Sequence, residues 1–298
     1  MKRFLFIELV VLSLLVLAAG AGAAQVHKNP GHMPPHRGHS VAVPSKISTY
    51  LGYKAVSMID GLSIPGPIAV STGGDSIYFS FDDEGSIFRL RNNKVTPIPV
   101  SGTTINACRL RGALFIGDEH VNIYKLEAGG TLHHLASLGM AGVWVGGLDV
   151  DLSNGTIYFI VNNILTNWSG LYELPAGSST PILLDDWYNA PSAGLAVKGN
   201  FLYIADYSKG SIWTYSKQGQ WAEIVTGLHG PADIGFDKQG NMFVAEFDGG
   251  SIARVKAGSL SITRIASGLN EPYRLELDAS DRIYFSDSWT GIIWKLYK

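Results

Sequence analysis

The chain has 298 residues, 46% of them hydrophobic, with 23 Lys and Arg against 25 Asp and Glu for a net charge of −2. That length suits one large domain or two small ones, and the near-neutral balance excludes a field that would gather nucleic acid or anionic lipid. A single cysteine, Cys108, excludes an intrachain disulfide, so stability must come from packing.

The first predicted element is a signal peptide over residues 1–23. Lys2 and Arg3 form a basic start, Phe4 to Ala19 is almost wholly apolar apart from Glu8, and Ala21 and Ala23 have the spacing of a cleavage site. The competing reading is an uncleaved membrane anchor. Against it, the apolar run is short for a bilayer crossing of roughly 20 residues, and no basic flank follows. Secretion is therefore expected, without stable membrane insertion after cleavage. Residues 24–47 read as a linker in which His27, His32, His36 and His39 stand among prolines and glycines. Four imidazoles on a tether could take a transition metal; the alternative is a solvated, mildly basic spacer.

From residue 48 to 298 a repeat governs the sequence. Short β-rich segments centre on Tyr78, Phe115, Tyr158, Tyr203, Phe243 and Tyr284, which are 37, 43, 45, 40 and 41 residues apart. A second apolar marker follows in five periods, at Ile87, Ile123, Ile212, Ile252 and Ile293; the third period reaches Leu171 after a longer excursion. Another strand precedes each central aromatic, as at Pro67 to Val70 and Arg274 to Leu277, and a fourth follows the second marker, as at Ala222 to Val225. Four short strands per period predict one propeller blade each. The sixth period has only three, whereas Ala55 to Leu62 precedes the first blade without a partner. Its ending Asp60-Gly61-Leu62 echoes Thr226-Gly227-Leu228 and Ser267-Gly268-Leu269. Pairing it into the last blade closes a ring and removes an exposed edge. The predicted fold is an all-β, six-bladed propeller.

Stretches such as Gly230-Pro231-Ala232-Asp233-Ile234, followed by Gly240-Asn241-Met242-Phe243-Val244-Ala245-Glu246, resemble NHL-type repeats. They are also similar to the six-bladed superfamily of gluconolactonase, regucalcin, paraoxonase and strictosidine synthase, over about residues 48 to 298. In metal-dependent members the resemblance implies ligands where the first strands begin, around the channel, because hard cations take oxygen donors. The matching positions here are Gly66, Asn106, Gly146, Ala193, Ala232 and Tyr273, of which only Asn106 offers a side-chain amide or carboxylate. Asp233 lies one position off and is expected on the other side of its strand. The expectation is that the family's metal, and any other cofactor, is missing. The strictosidine-synthase-like members imply instead a catalytic glutamate near the start of blade six. Tyr273 stands at the matched position, with Glu271 two residues earlier; Glu271 is a weak catalytic candidate beside the reading of a solvated carboxylate.

Strand order places tight Gly/Asn turns on one face and longer connections on the other, including Ser137 to Gly147, Val161 to Gly170 and Leu184 to Gly194. Function favours long loops on a rigid scaffold. Trp144, Trp168, Trp187, Tyr188, Tyr207, Phe247, Tyr273 and Trp289 are expected in or beside those loops, with His229 and Arg274 close by. They form either a recognition surface or packing between blades. Asp118, Asp206, Glu246 and Asp287 each lie three residues after a central aromatic, a recurrence that points to turn capping. Cys108 aligns with core positions and reads as a small buried hydrophobe. The expected function is a secreted ligand- or protein-binding module without the central divalent metal, using Asn106, Trp144, Trp187, Tyr188, His229, Asp233, Tyr273, Arg274 and Trp289. Its partner would be a protein, a glycan or a small molecule. The alternative is a lactonase- or esterase-like hydrolase, or a strictosidine-synthase-like enzyme, at the channel mouth.

Overall fold

The computed structural model describes residues 47–298 except 63–64, 82–84, 101–103, 141, 164 and 189–191. The predicted signal peptide and the tether histidines His27, His32, His36 and His39 lie outside the described residues. The rest forms six antiparallel sheets, five of four strands and one of five, each laid outward from an inner strand. The inner strands are Pro65–Val70, Ile105–Arg111, Val143–Val150, Ser192–Lys198, Pro231–Phe236 and Pro272–Leu277. This is the six-bladed β-propeller that the forty-residue period predicts.

Each sheet buries both faces, because every blade packs against two neighbours. Ile68, Phe79 and Phe88 of blade one share a cluster with Tyr284 and Ile293 of blade six. Ala69 and Ile87, on the opposite face of blade one, join Cys108, Leu114 and Ile116 of blade two. Burial on both faces is why the second strands read as nearly unbroken apolar runs rather than alternating ones. Cys108 sits inside such a seam, and burial pushes its thiol far above the ordinary range.

The ring closes where the sequence places the closure. Strand Lys54–Ile59 pairs antiparallel with Ile292–Tyr297, Ala55 opposite Leu296 and Ile59 opposite Ile293. The echoed tripeptides have one structural cause. The Leu62 N–H donates to the Gly291 carbonyl at 3.0 Å, as Leu228 does to Gly210 and Leu269 to Gly250. Gly291 has φ +69°, and a Cβ there would lie 2.1 Å from the Leu62 carbonyl oxygen, so only glycine fits. One strand was not foreseen. Ser48–Thr49 adds to the outer edge of blade five, with Ser48 opposite Ser267, before a turn through Leu51 and Gly52 carries the chain to blade six.

Gly291→Ala is expected to cost about 2–4 kcal/mol, combining left-handed strain with the clash against Leu62. Gly112→Ala, also at positive φ but with nothing within 4 Å of the new Cβ, should cost only about 1–2 kcal/mol. Urea unfolding of the two variants checks the ordering.

Candidate functional site

An inner strand has no neighbour on its axial side, so its outward-pointing peptide groups need other partners. Side chains supply them. Arg109, 3% exposed, donates to the carbonyls of Leu148, Leu195 and Leu275 at 3.4, 3.0 and 3.2 Å. It therefore reaches from blade two to blades three, four and six. Arg274 does the same for a second set of carbonyls, those of Asn106, Gly146 and Ala232, at 3.4, 2.6 and 3.3 Å. The carboxylates take the N–H groups: Asp149 accepts from Val197 at 2.9 Å and Asp233 from Leu275 at 3.0 Å, each bridging to the next blade.

Charge is balanced within this column. Arg109 faces Asp233 and Glu276 at 3.3 Å each, and Arg111 faces Asp149 at 3.1 Å and Glu276 at 3.3 Å. With Arg274, three guanidiniums stand against the carboxylates of Asp149, Asp233 and Glu276. Burial by itself would push the Arg109 guanidinium down. The summed attraction of Asp233, Glu276 and Asp149 outweighs that and holds it above its ordinary range.

Asp233 therefore faces the axis, contrary to the expectation that it points to the other side of its strand. The reason is local. All six inner strands carry a register irregularity at their entrance, between Pro231 and Asp233 in blade five and between Ile105 and Ala107 in blade two. A one-residue slip exchanges the faces of a strand, and such a bulge re-aims the side chains beside it. The close approach of blades four and five depends on Gly194, where a Cβ would lie 2.5 Å from the Asp233 Cα. Arg274 is likewise not on an exposed recognition surface; it is 5% exposed and turned into the channel.

These residues do not fit the divalent metal implied by the resemblance. Asn106, the one entrance side chain with an amide or carboxylate oxygen, keeps its buried Oδ1 without a hydrogen-bond partner. The carbonyls around it are already engaged by the Arg274 guanidinium, so a cation would have to displace a cation. Among the described residues no group of three or more His, Cys, Asp and Glu side chains is placed to hold a metal ion.

Around the mouth, rings from three blades follow one another. Tyr207 lies 6.1 Å from Phe247, Phe247 lies 6.0 Å from Tyr273, and Tyr273 stacks on the Arg274 guanidinium at 4.2 Å. The Tyr207 hydroxyl donates to Asp248, and burial raises its pKa. Glu271 is half-buried beside this row. Burial, then Asp287 and Asp248, hold its carboxyl above the usual range. The recurring acids cap turns. Asp118 accepts the N–H groups of His120 and Asn122, Asp206 that of Lys209, Glu246 that of His229, and Asp287 those of Asn270 and Glu271. His229 is exposed and Trp289 is 40% exposed.

The remaining aromatics expected in or beside the long loops stand beside them. Blade three has long strands, Val143–Val150, Ile157–Asn163, Trp168–Leu174 and Ile182–Tyr188. Trp144, Trp168, Trp187 and Tyr188 therefore stand on strand ends instead of in loops, with Trp168 opposite Tyr188. Trp187 and Tyr188 line a cleft of about 220 Å³ between blades three and four, together with Trp213, Trp221 and Ile204 and the polar Asp186, Asp206 and Lys209. Trp213 and Trp221 escaped sequence reasoning because strand grammar accounted for their positions, and Lys209 because it lies in the turn between two strands of blade four.

Fold and axis define the class: a six-bladed β-propeller whose inner-strand edges are sealed by arginine and carboxylate side chains. Solved structures with the same fold include a luciferin-regenerating enzyme (13% identity, TM-score 0.70, covering 83% of this chain and 96% of that one) and a gluconolactonase from Xanthomonas campestris (14%, 0.69, 83% and 90%). A virginiamycin B lyase from Staphylococcus aureus also matches (14%, 0.60, 85% and 100%). At these identities the likeness shows the fold alone. No protein-family description and no curated protein matches the sequence.

Arg109→Met would strand Asp233 and Glu276 in the interior and is expected to cost about 3–5 kcal/mol. Adding Asp233→Asn should recover part of that loss, measured as a coupling energy in a double-mutant cycle. For Glu271, a raised folded pKa means that its stabilising contribution is present at acid pH and lost as pH rises through that pKa. Glu271→Gln is therefore expected to be more stable than wild type at neutral pH, with the difference vanishing in acid. Thermal unfolding across that range checks the sign.

Proposed function

We propose that this protein is a secreted ligand- or protein-binding propeller that works at its long-loop face without a divalent metal on its axis. One observation carries the reading: the Arg274 guanidinium donates to the carbonyls of Asn106, Gly146 and Ala232, filling with a fixed charge the place where an ion would bind. The row Tyr207, Phe247 and Tyr273 supports recognition at the same face, since aromatic anchors give large contact area at low entropic cost. Secretion is supported by the pattern of residues 1–23.

A hydrolase is the second reading, and Glu271 favours it. A half-buried carboxyl whose pKa is raised by burial, then by Asp287 and Asp248, and which stands beside Tyr207, is a suitable general acid–base group.

Calcium titration of the full chain separates the two metal cases. A bound ion at a hundred times its dissociation constant would add about 2.7 kcal/mol of stability; no calcium-dependent rise in Tm is expected, and none in lactone hydrolysis. Calcium-stimulated turnover would overturn the proposal. Metal-free ester or lactone hydrolysis abolished by Glu271→Gln would establish the second reading in its place.

A further inference from the structure

The cleft between blades three and four is away from the axis, and its chemistry is specific. Trp187 and Trp213 each stand nearly perpendicular to Trp221, at 78° and 74°, with ring centroids 5.3 and 6.4 Å away. The three indoles are only partly buried, and Tyr188, 62% exposed, completes the rim. Two of the lining indoles have committed their N–H groups: Trp221 donates to Asp185 at 2.7 Å and Trp213 to Ser211 at 3.0 Å. Those rings offer a ligand their π surface rather than a donor. The charged lining is two carboxylates, Asp186 and Asp206, against one ammonium, Lys209.

That ammonium shows what the cleft accepts. Lys209 Nζ lies 5.1 Å from the centre of the Trp213 ring and 3.4 Å from Asp206 Oδ2, on a side chain 56% exposed. A ring face and a carboxylate together are the surroundings that an alkylated ammonium prefers. A volume of about 220 Å³ is below that of pockets for drug-sized ligands, about 300–1,000 Å³, and matches a compact head group.

We propose that this cleft is a binding site for a small organic cation, a quaternary or alkylated ammonium, which displaces the Lys209 ammonium from Trp213 and Asp206. This deepens the ligand-binding reading by naming a ligand class and a second location.

The test is titration of the full chain with choline, followed by tryptophan fluorescence, beside the neutral alcohol in which carbon replaces the quaternary nitrogen, and beside glucose oligomers. Choline should bind saturably and about tenfold more tightly than the neutral alcohol. Lys209→Ala, a change at an exposed side chain, should tighten choline binding by removing the internal competitor, and Trp213→Leu should weaken it. Equal binding of the neutral alcohol, unchanged or weaker choline binding in Lys209→Ala, or binding of the saccharides alone would overturn the inference. None of these results bears on the axial arginine, whose calcium titration decides the broader reading separately.

Discussion

The structure depends on how the inner strands satisfy the peptide groups that no further strand can reach. A propeller brings six strand edges to one line and excludes most water from it. Two buried arginines donate to carbonyls from five of the six blades between them, and two aspartates take N–H groups across blade boundaries. An unpaired buried peptide group costs about 1–3 kcal/mol, so the arrangement serves as backbone pairing carried out by side chains. It also fixes the angle between blades, because each link ties one inner strand to another.

The same arrangement restricts chemistry at the axis. Guanidinium is a donor without acceptor capacity and keeps its charge. Once it is seated among carbonyls, those oxygens are unavailable to a metal ion. The proposed ligand binding therefore rests on the row of aromatics at the mouth and on the indole-walled seam between blades three and four. Both are made of side chains whose scaffolding role is incomplete: they close a blade interface on one side and face solvent on the other.

Period and closure were legible in the sequence because they repeat. Six spaced aromatics, and the likeness of Asp60-Gly61-Leu62 to two later tripeptides, sufficed for the blade count and for the pairing of Lys54–Ile59. The axis was not legible because its chemistry does not repeat. Arg109, Asp149 and Glu276 occupy a column whose other members are Ala69, Ala196 and Gly235. The available signal was the odd charge in a column of small residues, which repeat matching treats as noise. Asp233 was misplaced for a geometric reason, since strand alternation cannot be counted through a bulge at every inner-strand entrance. In blade three the strands Val143–Val150 and Ile182–Tyr188 reach into the expected connections Ser137 to Gly147 and Leu184 to Gly194, and they carry Trp144 and Trp187.

The two short segments at the described start of the chain join distant parts of the sequence. Thr49 lies opposite Ala266, and Lys54 opposite Tyr297. Strand Lys54–Ile59 consequently has no partner until synthesis has reached Ile292–Tyr297. Completion of the circle is a late event, coming after nearly every local hairpin, and contacts of such sequence separation slow folding. Until then blade six presents a raw flank, which makes the interval before closure the time when this protein is most exposed to self-association.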